Sequence, residues 1–502
     1  MLFKNIFSSR STFFFCIVVF VAYLFYRVIL IFYPTPDIGG VENNVIWFIQ
    51  RILDGGHLYT DPNVAPYSIA QYFPLYYYIN AGIARLLGIN ADDVLSLFVL
   101  SRTVSLFFNL TYVALIIVTA KNIFNCRTHY AYVAGIFTFI FLEITSFSRP
   151  DSLNHALFLL SFYCFATRLK KNEAGIKGTN YLLLSAFFAA CALFSKQSSL
   201  VLAIIMLVWF LKRKEIRLIF IWLLVYATTI SVVLFIVNFE SGLTPFLQNT
   251  IGGINNGIST YWFFHNIIND FYRQFGLLWI PALVLVIGLL KKETETHYQF
   301  TVISIIIVFI FSNLIALKWG SSPGYFTEWV TFIFVCIAAY WDIITVSLKE
   351  LYSRIGAAIL VVILLVKLLL IFYPTWNMIR PGAKQIAWEK YYQQANLARD
   401  IKSKLHHTTG STVFNNVYSP EFYLNNLLFR ECVMPQFEVV IFGTWKNKVF
   451  DYTGFRKALN SGEIKYVVEK SGSPHQFMDI TLSKFQIIDT ISRQYHIYKF
   501  IR

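Results

Sequence analysis

The chain predicts a polytopic α-helical membrane protein, and three observations predict it. The 502 residues are 57% hydrophobic and 18% aromatic but only 14% charged, with a mean hydropathy of +0.57, a balance that ordinary soluble domains do not have. Apolar runs of the roughly 20 residues needed to cross about 30 Å of hydrocarbon recur along the chain. The net charge of +15 is gathered in short basic clusters between those runs. That is the signature of membrane topology and not of nucleic-acid binding.

Taken in order, the apolar runs place spans near 12–32, 101–120, 131–148, 152–168, 180–195, 199–211, 218–237, 276–290, 299–317, 327–346 and 356–373, about eleven in all. The first, Ser11 to Phe32, is longer than a signal-peptide core and is followed by no small-residue cleavage site, so it reads as an uncleaved span. Orientation follows from the excess of Lys and Arg on the cytoplasmic side. With the N-terminus inside (Lys4, Arg10), every loop that must also be inside is basic: Lys121 and Arg127; Arg168, Lys170, Lys171 and Lys177; Lys212, Arg213, Lys214 and Arg217; Lys291 and Lys292; Lys349 and Arg354. The stretch "QYFPLYYYINAGIARLLG" (71–88) would invert all later loops if it crossed. It is therefore expected to lie in or dip into the outer interface, with its tyrosines at headgroup level.

The expected organisation is a transmembrane part over 1–373, with a large first outer loop at 33–100, and a C-terminal extracytoplasmic α/β domain over 374–502. The helix-breaking "YPTWNMIRPG" introduces that domain, an amphipathic helix is expected over 384–405, and "STVFNN", "FEVVIF", "IKYVVEK" and "HIYKFI" read as strands. The six cysteines (Cys16, Cys126, Cys164, Cys191, Cys336, Cys432) show neither CxxC nor metal spacing, and the nine histidines form no HExxH; His406 and His407 read as a solvated helix end. No internal repeat of fixed period is visible.

Under this topology the polar chemistry gathers outside. Asp37 and Glu42 follow the first span in "YPTPDIGGVENNV". Arg149 and Asp151 sit at the tip between spans three and four ("SFSRPDSLNHA"), and Lys196 and Gln197 at the tip between spans five and six ("LFSKQSSL"). Arg27, Glu143 and Lys367 fall in the outer halves of their spans, where an ionisable group is a functional candidate. A carboxylate can take a proton from an attacking hydroxyl, and fixed Arg and Lys side chains can hold a phosphate and the charge that grows on it. Acids beside cations at a membrane interface suit transfer of a group from a phosphate-linked lipid to an alcohol. Each residue also has a structural alternative: Asp37 as a helix cap, though four residues before Val41 is too far, Arg149 as an interfacial anchor, Lys196 as a snorkelling helix end, and the tyrosine run 76–78 as an interfacial belt.

The order "PTPDIGGVE", "RILDGGHLYTDP", "YFPLYYYINAG", "SRPD", "SKQSSL" and "GSSPGYFTEW" resembles the membrane glycosyltransferases of the C-type fold, in particular the superfamily of protein O-mannosyltransferases and lipid A aminoarabinose transferases, over about residues 12–345. The resemblance implies a polyprenyl-phosphate-linked sugar as donor and an inverting transfer without a glycosyl-enzyme intermediate. It puts Asp37 at the catalytic base, with Glu42 as its rival. Arg149 and Lys196 would grip the donor phosphate, Asp151 and Gln197 would orient them or bind sugar hydroxyls, and Tyr72 and Tyr76 would line the lipid or sugar groove. Two departures are visible: Ile38 follows Asp37 where several relatives have an adjacent Asp-Glu pair, and "QYFPLYY" has no base where others carry a Lys.

The expected partners are the lipid bilayer, the lipid-linked sugar, and an acceptor that is a glycan, a lipid or a protein, in the cell (inner or plasma) membrane and without nucleic acid. No cofactor is implied, and a divalent metal is left open. A transporter or flippase is the competing class, which would call for pseudo-symmetric halves with helices broken near the midplane.

Overall fold

The computed structural model describes residues 9–35, 41–142, 147–272, 295–347, 381–405, 410–417, 423–434, 439–472 and 481–501. The helices follow the apolar runs closely. They are α1 (Ser9–Ile31), α2 (Glu42–Leu53), α3 (Leu75–Leu86), α4 (Val94–Asn122), α5 (Thr128–Phe141), α6 (Asp151–Glu173), α7 (Thr179–Ser195), α8 (Leu200–Arg213), α9 (Ile216–Glu240), α10 (Thr296–Ala316) and α11 (Thr327–Ser347). The expected spans 276–290 and 356–373, and with them Lys367, lie outside the described residues, as do Asp37 and Glu143; each of the other expected spans coincides with a helix. Among the described residues α4, α9 and α10 are long and apolar enough to cross a membrane by length and composition. The protein is mostly helical and membrane-embedded.

Local sequence explains where these helices begin and how closely they pack. Asp93 caps α4 by accepting the amide of Ser96 at 3.1 Å, and Pro150, which has no N–H to leave unpaired, opens α6. Against α6, helix α7 turns the small buried residues Ser185, Ala186, Ala189 and Ala190, which let two backbones approach in an environment without a hydrophobic driving force between helices. Arg27 does not snorkel: it is 1% exposed, with its guanidinium 5.3 Å from the ring of Phe139 on α5 and 6.0 Å from that of Tyr23.

The 71–88 stretch differs from expectation in what surrounds its tyrosines. Its helix, α3, spans 12 residues, about 18 Å at 1.5 Å per residue, too short to cross. Two of its tyrosines are covered by protein. Tyr76 and Tyr77 are fully buried in a second core that α3 builds with α2 and the start of α4, because α3 is covered on several sides by α2, α4 and α7.

Beyond residue 380, α12 (Pro381–Lys404) precedes a four-stranded sheet of β1 (Val413–Asn416), β2 (Tyr466–Lys470), β3 (Phe485–Ile491) and β4 (Tyr495–Phe500) in the order β1-β2-β4-β3. β1 runs parallel to β2, with Val413 opposite Tyr466, and the other two pairs are antiparallel. "FEVVIF" contributes to a helix, α13 (Val439–Lys446), and not to a strand, while α14 (Thr453–Ser461) and β3 were not anticipated. The apolar run of "FEVVIF" is too short for periodicity to separate a strand from a buried helix.

This module is tied to α2. Asn426 donates to the Asn43 carbonyl at 3.0 Å and exchanges hydrogen bonds with Gln50. Tyr423 donates to the Thr35 carbonyl at 3.2 Å, and Arg430 pairs with Asp54 and Asp92.

Candidate active site

The site forms where the tips of α6 and α7 meet. α7 ends at Ser195, whose hydroxyl donates to the Pro150 carbonyl at 3.1 Å, and Lys196 follows in an extended conformation (φ −153°, ψ 135°) before a short 3-10 turn over Gln197–Ser199. That change of backbone direction brings the Lys196 ammonium 2.5 Å from the Asp151 carboxylate and 4.7 Å from the ring centroid of Tyr325. Asp151 occupies the first turn of α6, where an acid is favoured by the helix dipole, and Arg149 is buried two residues before it.

A third cation arrives from the loop after α10. Lys318 is held by an isolated bridge between its strand-like backbone and Ile258, reinforced by the Trp319 amide on the Gly257 carbonyl. Burial, and then the nearby Lys196, push its ammonium down to about 8. Among the described residues no carboxylate lies within ion-pair distance of it. Burial alone would lower Lys196 as well, but Asp151 outweighs that and raises it. The Tyr72 phenol is pushed up by burial and then by Asp151, with Arg149 opposing, which places Tyr72 at this cluster.

Beside the cluster, His155 and Glu328 form a buried pair, Nδ1 to Oε1 at 2.7 Å, with Asn154 donating to the same oxygen at 3.3 Å. Lys196 thus lies among Asp151, Lys318 and Tyr325, with Arg149 and the His155–Glu328 pair beside Asp151.

The remaining expected residues divide. Glu42 is 0% exposed, and both of its oxygens are engaged by Arg102, Nε at 2.7 Å and the second nitrogen at 2.6 Å, while one also accepts the Ser148 amide at 2.9 Å. The same guanidinium donates to the carbonyls of Leu30, Tyr33 and Thr35 at 2.9, 2.5 and 2.7 Å and lies between the rings of Phe98 and Phe147. Arg102 thus clamps the end of α1 to the start of α2, on either side of residues 36–40. Gln197 spends its amide on the Gln71 and Thr250 carbonyls at 2.7 and 3.1 Å, knitting loops together. Tyr76 lies in a seam of serines, its hydroxyl 2.7 Å from Ser105 Oγ and 3.2 Å from the Ser101 carbonyl. The structure therefore gathers Arg149, Asp151, Lys196 and Tyr72 and sets Glu42 and Tyr76 into the surrounding scaffold.

Arg102, Lys318, His155 and Glu328 were not singled out from sequence, although Arg102 stands visibly at the head of an apolar span and Lys318 two residues before "GSSPGYFTEW". Metal-type ligands meet in one place among the described residues, at the far end of α6. There the ligand atoms of Glu173, Glu295 and His297 lie within 4.8 Å of one another, and Glu173 already caps α10 through Thr296.

No family of known proteins matches the sequence, and no curated protein does. Solved structures do match by shape. ArnT from Cupriavidus metallidurans, crystallised bound to undecaprenyl phosphate, superposes with a TM-score of 0.58 at 14% identity over 96% of this chain and 97% of that one. The archaeal oligosaccharyltransferase AglB from Archaeoglobus fulgidus, in complex with an inhibitory peptide and a dolichol-phosphate, does so with a TM-score of 0.56 at 13% identity over 91% and 69%. Identity this low with agreement over nearly the whole length is a likeness of architecture, and the chain has the C-type glycosyltransferase fold that both of these enzymes share.

Proposed function

We propose that this protein is an integral-membrane glycosyltransferase that moves a sugar from a polyprenyl-phosphate-linked donor to an acceptor hydroxyl on the extracytoplasmic face, with inversion. The observation that carries the reading is the meeting of Lys196 with Asp151 at the α6 and α7 tips, where Lys318 approaches Lys196 and Arg149 lies beside Asp151. Cations gathered away from bulk water suit an anionic ligand, and a phosphodiester supplies one. The undecaprenyl phosphate of the ArnT crystals and the dolichol-phosphate of the AglB complex support that choice of anion.

In this reading the acceptor oxygen attacks the anomeric carbon from the face opposite the phosphate. The new carbon–oxygen bond forms as the bond to the phosphate oxygen breaks, and the bonding pair leaves on the phosphate. Lys196 and Lys318 meet that growing charge, with Arg149 beside them. The hydroxyl proton passes to the Asp37 carboxylate. Glu42 is better suited to holding than to catalysis, because Arg102 and the Ser148 amide already occupy its oxygens. Asp151 keeps Lys196 charged and aimed, and Tyr72 borders the donor.

The test is transfer by the purified protein in lipid, with a panel of polyprenyl-phosphate-linked hexoses and pentoses and glycan, lipid and peptide acceptors. Transfer from at least one donor is expected. Movement of the lipid-linked sugar between leaflets with no transfer to any acceptor would instead identify a flippase. Replacing Lys318 by Met is expected to raise the donor KM about 10- to 100-fold, the effect of one charge-assisted hydrogen bond.

Lys318 also sets a pH dependence. Its folded-state value of about 8 lies below the ordinary lysine value, so the ammonium is present below that pH and is lost as pH rises through it, whereas Lys196 stays charged. The donor KM of the wild type is expected to climb from about pH 7.5 to 9, and the Lys318→Met variant to show a flat profile over that range; the same climb in both would remove Lys318 from the site.

A further inference from the structure

Next to Lys196 the site continues into a recess whose polar wall the transfer step above does not use. It lies between α6, α8, α10 and α11 and is lined by His155, Lys196, Ser198 and Tyr325, with Phe158 and Phe311 behind. His155 is 2% exposed. Its ring packs against Tyr112, with centroids 5.6 Å apart, and its Nδ1 lies 2.7 Å from Glu328 Oε1. Asn154 donates to the same oxygen and is itself held by the Ser199 hydroxyl at 2.6 Å. Glu328 is an acceptor, so Nδ1 carries the proton. The other ring nitrogen, Nε2, is buried and meets no hydrogen-bonding group among the described residues. A buried polar atom left in this state calls for a partner from outside the chain.

We propose that His155, oriented by Glu328, accepts a hydrogen bond from one hydroxyl of the donor sugar and so determines which sugar is transferred. The proposal rests on the function above and names the residue that reads its substrate. With the ring hydrogen on Nδ1 facing Glu328, the Nε2 lone pair needs a donor. A sugar hydroxyl offers a hydrogen, and the phosphodiester of a polyprenyl-phosphate sugar has none to give. The recess has room for about one water-sized group, so a single substituent enters it while the sugar ring stays at the mouth beside Lys196. Aromatic walls suit the carbon-bound hydrogens around that substituent.

The test uses the full-length protein in lipid, with the donor it accepts and each single-deoxy derivative of that donor. The wild type is expected to lose roughly 100-fold or more in kcat/KM on one derivative, the scale on which a polar site rejects an analogue that lacks its partner. H155A should treat that derivative and the parent alike to within about 3-fold, while inhibition by plain polyprenyl phosphate stays as in the wild type. H155L, which keeps more of the volume, reads the same quantity if H155A does not fold. E328Q, whose amide oxygen still accepts from Nδ1, should retain the discrimination that E328A loses. Wild-type discrimination in a folded His155 variant on every derivative overturns the assignment of His155 alone. Absence of transfer by the wild type from any donor overturns the function and this assignment together.

Discussion

Asp37→Asn is expected to lower kcat for sugar transfer by about 10²- to 10⁴-fold, the usual contribution of a positioned general base, while the donor KM stays within about 3-fold. Asparagine keeps the size of aspartate and cannot take a proton, so the loss falls on the chemical step and leaves donor binding intact. The segment that carries Asp37 is bracketed by fixed points. The Thr35 carbonyl before it accepts from Arg102 and Tyr423, and the Asn43 carbonyl after it accepts from Asn426. Initial rates of the wild type, Asp37→Asn and Glu42→Gln, measured with saturating donor, separate the two acids. Near-normal rates in Asp37→Asn would move the base elsewhere, and a loss confined to Glu42→Gln, with unchanged thermal stability, would assign it to Glu42.

Arg102→Ala should destabilise the fold by about 3–5 kcal/mol, the usual effect of leaving one member of a buried ion pair without its partner. Arg102 and Glu42 are 1% and 0% exposed, so neither charge can be rescued by water once the other is gone. The substitution also removes the donor to the Leu30, Tyr33 and Thr35 carbonyls. Intrinsic-fluorescence melting in detergent is the measurement. Arg102→Met combined with Glu42→Leu should melt above Arg102→Ala, because an apolar replacement of the whole pair leaves no orphan charge. It should nevertheless be poorly active, since the tie between the end of α1 and the start of α2 is broken. A melting temperature for Arg102→Ala equal to that of the wild type would mean that the clamp is not a stability element.

How far the sequence could be read depended on whether a feature was local. Runs such as Ile216–Glu240 and Thr296–Ala316 declare themselves as spans because length and apolarity are properties of consecutive residues. The meeting of "SRPD" with "SKQSS" was legible too, since successive antiparallel spans return their alternate tips to one side. The 71–88 stretch was harder. Its tyrosines look the same in sequence whether they sit among headgroups or, as Tyr76 and Tyr77 do, in a protein core, and the difference lies in what α2, α4 and α7 cover. "FEVVIF" had the same ambiguity on a smaller scale.

Taken alone, the sequence determined that this chain lives in a membrane, where most of its helices run, and which tips hold acids and bases, because hydropathy and charge are carried by the residues themselves. The tertiary structure decided which side chains meet. Only folding brings Arg102 onto Glu42 across 60 positions, Lys318 towards Lys196, and Glu328 onto His155 across 173. Whether a carboxylate is a candidate base or a clamp depends on which partner occupies its oxygens, and that is a matter of packing between elements far apart in the chain.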